Sequence, residues 1–480
     1  MKFWLSVYIF AVLVSSRTAE AAEPPNILFI YLDDFGWRDA GFMGSDFYET
    51  PHLDRLAASG MVFSDAYACA ANCAPARASL MSGQYSPRHK IFNVGTKPRG
   101  NAKFRRLEHV PGTDTLSPEI ITWAHRLQQQ GYRTATIGKW HLSDDPTMYG
   151  FHENVAGDHR GSPPRGYYPP HPNATGLDSA AADEYLTDRL TAEAIQFIER
   201  NHNQRWALYL PHFAVHTPLQ AKPELLEKFT GKPKGELHSH VVMAAMIAAV
   251  DEGVGRILAK LDALKLRDNT VVMLSSDNGG YGPATDMDPL KGYKGTYYEG
   301  GIRVPLAVSW PGVVEPGSTS NVPVSGVDIY PTLCEIAEVP APDQQVLDGI
   351  SLVPLIKGEA VGQAERALFW HFPAYLQSYN VDSEQRDPLF RSRPCSVIRQ
   401  GRWKLHQYFE DNALELYDLA NDIGEQHNLI HQEPEVAGRL LEKLQNWQAR
   451  TGAPIPTAKN PDYDRVAERE AILKRLAREN

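Results

Sequence analysis

Two pairs of residues with metal-ligating side chains stand immediately after apolar runs. Asp33 and Asp34 follow NILFIYL, and Asp277 and Asn278 follow TVVMLSS. Three carboxylates brought together repel one another, by roughly 4 kcal/mol for two like charges about 4 Å apart at an effective dielectric near 20. A cation among them removes that cost. Oxygen donors alone, with the Asn278 carbonyl completing the set, favour a hard ion such as Ca²⁺ or Mg²⁺ over zinc. Taken singly, each pair is better read as turn chemistry, DNGG above all. Together, at two strand ends, they point to a metal site.

The stretch CAPARASLMSG, 73–83, reads as the start of a helix with Pro75 tolerated in its first turn. Cys73 then stands at the helix N-terminus, where the dipole favours negative charge, and Arg77 falls one turn later on the same face. An inert buried cysteine and a reactive thiolate are both open readings. A thiolate wants a histidine base, however, and is poorly matched to a neighbouring hard cation. GKWHLS puts Lys139 and His141 on one side of an extended segment, and His216 follows the WALYLP run. Lys294 lies in KGYKGTYYEGGIRVP, whose glycines allow close approach to a ligand, with Lys291 as its competitor. Arg77, Lys139, His141, His216 and Lys294 together would hold a tetrahedral anion and supply a proton to a leaving group.

These residues need a scaffold that gathers strand ends. The continuously apolar runs at 26–32, 134–138, 206–211, 270–276 and 304–310 predict buried strands of a largely parallel sheet. Helical patterns lie between them: SPEIITWAHRLQQQG, with Ser117 as N-cap and Gly131 as stop, then DEYLTDRLTAEAIQFIERN and HVVMAAMIAAVDEGVGRILAKLDALK. Alternating strands and helices predict an α/β fold, a large mostly parallel sheet sandwiched by helices. In such sheets ligands bind at the carboxyl ends of the strands, where the ionisable residues fall. The Pro/Gly/His/Tyr-rich segment 144–183 is expected to shape the mouth of the site. After about Arg366, short strand patterns and an amphipathic helix over 433–450 predict a smaller C-terminal antiparallel sheet plus helix, with the charged chain from Asn460 onward peripheral. The expected division is 1–21, 22–365 and 366–480.

Residues 1–21 carry Lys2, an apolar run from Phe3 to Val14 and the small-x-small Ala19–Glu20–Ala21, the pattern of a secretory signal peptide. The run is shorter than the roughly 20 residues that span a bilayer. A secreted or periplasmic protein with no stable membrane anchor is therefore expected. A net charge of −10 argues against nucleic acid as a partner. The basic stretch Lys97–Arg106 is a local exception that could meet a polyanion, although a solvated surface is the commoner use of such a loop. Four cysteines, Cys69, Cys73, Cys334 and Cys395, form no zinc-like cluster. If Cys73 is committed to chemistry, at least one of the others is unpaired.

CAPARASLMSG, with LDDFGW, GKWHLS, VHTP, SSDNGG and KGTYYEGGIRVP in that order, resembles the type I, formylglycine-dependent sulfatases of the alkaline phosphatase superfamily. The likeness is to secreted bacterial carbohydrate and aryl sulfatases and covers about residues 26–310, with GRWKL and ELYDL similar to the family's C-terminal part. It implies that a maturation enzyme oxidises Cys73 to Cα-formylglycine. The hydrated gem-diol of that residue would attack sulfur and expel the alcohol, and its second hydroxyl would then lose a proton and eliminate sulfate. It further implies that Asp33, Asp34, Asp277 and Asn278 bind Ca²⁺ together with residue 73, and that Arg77 and Lys139 stabilise that residue and the sulfate. His141 would assist elimination, and His216 with Lys294 would hold sulfate and protonate the leaving oxygen. Ala76 stands where the family usually has a small residue such as serine. A sulfated carbohydrate is the expected partner, with His159, Arg160 and His371 as candidate substrate contacts. A formylglycine-dependent phosphonate monoester or phosphodiester hydrolase is the enzymatic alternative, and a secreted binding protein that keeps the fold without catalysis is the other.

Overall fold

A computed structural model describes residues 23–177, 181–359, 365–379 and 386–479. The expected signal peptide lies outside them. Eight strands form the main sheet, in the spatial order Glu153–Val155, Arg133–Ile137, Trp206–Pro211, Asn26–Leu32, Thr270–Ser276, Leu306–Ser309, Met61–Phe63 and Ser318–Ser320. The first five run parallel. Leu306–Ser309 departs from the parallel expectation, pairing antiparallel with both of its neighbours.

The central strand shows why the apolar runs are unbroken. Leu28, Ile30 and Leu32 enter one core with the helices Leu186–Asn201 and Val241–Ala263, while Ile27, Phe29 and Tyr31 enter a second core with Trp123, Leu80 and Leu333. A strand covered on both faces needs no polar alternation. Truncating Leu28 to alanine would cost about 2–5 kcal/mol through the cavity it leaves.

One helix begins later than its sequence suggests. Trp123–Gln129 starts at a Thr122 N-cap that accepts from the His125 backbone, while His125 Nδ1 accepts from the Thr122 N–H at 3.1 Å. Ser117 and Pro118 lie in a preceding turn, because Thr122 caps the first-turn His125 N–H and is fixed by a hydroxyl bond to Tyr149 O at 2.6 Å.

A four-stranded antiparallel sheet, Ala367–Phe372, Cys395–Gln400, Trp403–Tyr408 and Leu414–Asp418 in that order, forms the C-terminal layer. One face packs on the Pro434–Thr451 helix, where Phe369 and Trp447 stack with ring centroids 4.8 Å apart. The other face packs on Tyr67, Ala71, Tyr297 and Ile302 of the larger layer. Lys404, fully buried, ties the two together through Glu299 at 2.9 Å and Glu425 at 3.0 Å. The terminal helix Arg465–Glu479 is less peripheral than expected, since buried Glu468 pairs with Arg393 at 2.8 Å and Arg106 at 3.2 Å. All four cysteines are buried and free, each in a different setting.

Candidate active site

Four parallel strands deliver their carboxyl ends to one edge. Asn26–Leu32 leads into Asp33 and Asp34, Thr270–Ser276 into Asp277 and Asn278, Arg133–Ile137 into Gly138 and Lys139, and Trp206–Pro211 into the loop that carries His216. Gly138 has φ 127°, and a Cβ there would meet Pro211 O at 2.0 Å, so only glycine lets the chain turn while the Lys139 N–H reaches Pro211 O at 2.6 Å. Asp34 and His141 adopt the left-handed conformation at φ 58° and 64°. Such positions in non-glycine residues cost energy and gather where side chains must be aimed. The turn at His141 also means that Lys139 and His141 are not on a plain extended segment, although both reach the cleft.

Cys73 opens the buried Cys73–Ser82 helix as expected. Its Sγ lies 3.5 Å from Asp33 Oδ1 and 4.0 Å from Asp34 Oδ1. Lys139 Nζ is 2.6 Å from Asp33 Oδ2, and Lys294 Nζ is 2.7 Å from Asp34 Oδ2. Arg77 grips Asp277 Oδ2 with Nε at 2.9 Å and Nη2 at 2.8 Å, and donates from Nη1 to Lys139 O at 3.0 Å. Asn278 donates to Asp34 Oδ1 at 2.8 Å, and the Asp34 N–H reaches Asp277 Oδ1 at 3.3 Å. His216 donates from Nδ1 to Thr217 O at 2.8 Å and turns Nε2 toward Asp34 Oδ2, 3.8 Å away.

Burial governs the protonation states. It raises the Asp33 carboxyl above its ordinary value, against the attraction of Lys139, with Asp277 and Asp34 adding repulsion. Asp34 goes the other way. Burial pushes it up as well, but Lys294, His216 and Lys139 together hold it well below the carboxylate range. The Cys73 thiol is pushed up to about 12 by burial against the pull of Lys139 and Lys294, which leaves it a neutral and sluggish nucleophile. Burial, with nearby cations, keeps both histidines neutral, bringing His216 to about 3 and His141 well below its ordinary value.

Metal binding fits this arrangement. Ligand atoms of Asp33, Asp34, Cys73 and His216 lie within 4.8 Å of one another. Asn278 Oδ1 is buried without a hydrogen-bond partner, an orphaned acceptor of the kind a cation satisfies. Most of the surrounding donors are oxygens.

A cleft of about 350 Å³ opens over the cluster, lined by Cys73, His141, His216 and Lys294 and, above them, by Arg99, Tyr281, Tyr379 and Arg391. That volume is within the range of small-ligand sites, roughly 300–1,000 Å³. The 144–183 segment does shape the mouth: Gly161 and Ser162 line it, and a Cβ on Gly161 would strike the His141 ring at 2.3 Å. A larger groove of about 1040 Å³, between residues 236–240, 282–293 and 421–426, contains none of the cluster.

Every catalytic and metal-ligand candidate read from the sequence converges here, and Lys294 is separated from Lys291, whose ammonium lies over the Tyr298 ring and donates to Glu425 O. The substrate contacts fare differently. His159 stands at the rim with its ring centroid 6.5 Å from that of His141. Arg160 is consumed by its own loop, pairing with Asp158 and donating to Pro172 O and Asn173 O. His371 is a correction: it is buried in the C-terminal sheet, bonded to Ser396 Oγ at 2.7 Å and Pro454 O at 3.1 Å, and apart from the cleft. Arg99, Tyr281, Tyr379 and Arg391 escaped sequence reasoning. Only Arg99 carried a signal, its place in the basic stretch.

A mostly parallel sheet with carboxylates, a helix N-terminus and cationic side chains at its carboxyl edge is an arrangement suited to hydrolysing an anionic ester. Residues 25–339 match the sulfatase family, and 293–450 match the C-terminal part of N-sulphoglucosamine sulphohydrolase. A sulfatase of Formosa agariphila is 30% identical over 99% of both chains, and mouse steryl-sulfatase is 29% identical over 95% of this chain and 85% of its own. Among solved structures, Ps i-CgsB in complex with k-i-k-neocarrahexaose superposes with a TM-score of 0.74 at 29% identity, covering 95% of this chain and 98% of that one. The chain belongs to the sulfatase family and is a sulfuric ester hydrolase. Among the described residues no helix is long and apolar enough to cross a membrane.

Proposed function

We propose that this sulfatase removes sulfate from a carbohydrate, using a formylglycine formed from Cys73 by a maturation enzyme and a Ca²⁺ ion held by Asp33, Asp34, Asp277, Asn278 and residue 73. The observation that carries the reading is the position of Cys73 Sγ at 3.5 and 4.0 Å from two buried carboxylates, in a cage that also contains Arg77, Lys139 and Lys294. A thiol is ill suited to that setting, whereas an oxygen at residue 73 suits it. Hydrated formylglycine supplies such an oxygen as nucleophile. Ca²⁺ supplies positive charge that neutralises the carboxylates and favours the developing anion.

The chain's own residues do the remaining work. Arg77 orients Asp277 through two nitrogens and fixes the Lys139 backbone through a third. Lys139 and Lys294 bring ammonium groups to either side of residue 73 and complement sulfate oxygens. Burial pulls the Lys294 ammonium down, but Asp34, joined by Cys73 and Asp33, more than offsets it and keeps the lysine protonated. Lys294 Nζ, with His216 beside it, is thereby positioned to give the leaving oxygen its proton. His141 is neutral with Nδ1 unpartnered, ready to accept the proton released from residue 73 as sulfate departs. The carbohydrate reading draws support from the likeness to a structure solved with neocarrahexaose and from the polar, aromatic-lined cleft. The leader pattern supports action in a secreted or periplasmic setting.

The test is turnover of paired aryl sulfate and phosphonate or phosphodiester substrates by enzyme from a maturation-competent host. Desulfation of defined sulfated oligosaccharides, followed by NMR, would then follow. Preference for sulfate is expected. Preference for the phosphorus ester would overturn the reading in favour of the phosphonate hydrolase alternative. Finding only unmodified thiol at position 73 in such a host would favour a binding protein.

A further inference from the structure

Two guanidinium groups enter the cleft above the catalytic cluster without carboxylate partners. Arg391 is buried, donates from Nε to Gln377 O at 2.9 Å and from Nη1 to Lys294 O at 3.1 Å, and lies over the Tyr379 ring at 3.7 Å. Arg99, half-buried across the cleft, donates from Nη2 to Val94 O at 2.8 Å. Among the described residues no ion pair includes either one. Their neighbours are neutralised: Arg393 pairs with Asp387, Glu410 and Glu468, and Arg386 with Asp411 and Glu415. Arg99 also feels the repulsion of Arg391, which adds to burial in lowering its pKa. Two like charges kept close in a partly desolvated cleft are costly unless an anion joins them.

That anion is distinct from the scissile sulfate. Lys294 spans the gap, its carbonyl on Arg391 and its ammonium 2.7 Å from Asp34, so Arg391 stands about one lysine side chain from the reaction centre, with Arg99 lining the same cleft. That is the span between substituents on one sugar ring or on adjoining rings. The loop carrying Arg99 is anchored as well. A Cβ on Gly100 would meet the Phe390 ring at 2.5 Å, which places the loop directly against the residue preceding Arg391.

Resting on the sulfate-ester reading, we infer that Arg99 and Arg391 form a specificity site for a second anionic group on the substrate, so that the enzyme selects a glycan carrying another sulfate or a carboxylate close to the sulfate it removes. Planar guanidinium groups match both anions through paired N–H donors, and Tyr379 beneath Arg391 fixes the plane.

The test uses matured, Ca²⁺-loaded enzyme and oligosaccharides that share one scissile sulfate. One lacks any other charge, one has a second sulfate and one has a neighbouring uronate carboxylate. The wild type should favour at least one doubly charged substrate by about 10- to 100-fold in kcat/KM, the yield of a charge-assisted contact. The favoured arm identifies the anion. Arg99→Gln should erase that preference through KM, leaving turnover of the singly charged substrate within about twofold, and Arg99→Lys should restore part of it, while Arg391→Gln, which also frees the Lys294 carbonyl, should lower the ratio of doubly to singly charged turnover. Equal turnover of all three by the wild type would overturn the inference. So would an Arg99→Gln variant that loses activity on the singly charged substrate to the same degree. Failure to cleave any sulfate, with hydrolysis of a phosphonate instead, would refute the sulfate-ester reading itself.

Discussion

Lys139 Nζ lies 2.6 Å from Asp33 Oδ2, with neither side chain exposed to solvent. Breaking a buried pair by removing one partner typically costs about 3–5 kcal/mol, because the remaining group is left buried without its counter-charge or hydrogen bond. Lys139→Met should therefore destabilise the metal-free protein by about that amount in urea unfolding after dialysis against chelator. Added Ca²⁺ would place a second positive charge beside Asp33, so the difference from wild type should shrink. An identical loss with and without Ca²⁺ would show that the lysine and the cation do not share that carboxylate.

Chelation should abolish turnover, and Ca²⁺ should restore it. The acceptors that would hold the ion are the Asp33, Asp34 and Asp277 carboxylates and the unpartnered Asn278 Oδ1, all hard oxygens. Thermal denaturation should show the same order, with the midpoint raised by Ca²⁺ through preferential binding to the native state. Rescue of activity by zinc alone would contradict the oxygen cage.

Cys73→Ala should reduce turnover by roughly 10³-fold or more while leaving the fold in place, since it removes one small side chain from a helix N-terminus. The unmatured wild type should be nearly as inactive, because burial holds its thiol near 12. Peptide mapping for the aldehyde, alongside activity of the same preparation, checks both statements. High activity in a preparation with only thiol at position 73 would remove formylglycine from the mechanism.

The cluster was legible because strand ends are chemically marked. Asp33, Asp277 and Lys139 each follow, directly or by one residue, an apolar run, and parallel pairing brings those ends to one edge. The family blocks then singled out Cys73, His141, His216 and Lys294. What could not be read were contacts made by residues far apart in sequence with no local pattern. Arg391 reaches Lys294 across 97 positions, and Tyr379 meets it only through tertiary packing. His371 misled for the same reason. HFPAY reads equally as a sugar-facing rim or a packed strand, and only the register of Ala367–Phe372 against Cys395–Gln400, which sets His371 opposite Ser396, decides for the core. The antiparallel Leu306–Ser309 strand was hidden because a strand buried on both faces shows its burial and not its direction.

Acid should destabilise the protein through its buried histidines, above the pH at which the carboxylates of the unfolded chain titrate. Burial pushes His89 to about 3, His212 to about 4 and His371 to about 3, none of them in the catalytic cluster. In the unfolded chain each titrates near 6.5. Below that pH the unfolded state binds protons that the native state refuses, so stability falls as pH drops through 6.5, and the loss levels off only below the native values. At pH 5 each histidine accounts for about 2 kcal/mol, from roughly 1.5 pH units at 1.36 kcal/mol per unit. A second loss follows below about 4.5. There Glu299, which burial raises but Lys404, Arg303 and Arg399 hold down at about 2, is protonated more readily in the unfolded chain. Urea midpoints between pH 7 and 5 should therefore fall steadily. His89→Gln should flatten the slope by one histidine's share, since the neutral imidazole that accepts the Ile91 N–H at 3.1 Å would no longer be there to exclude a proton. A slope in His89→Gln equal to that of the wild type would mean that His89 is protonated, or open to water, in the native protein.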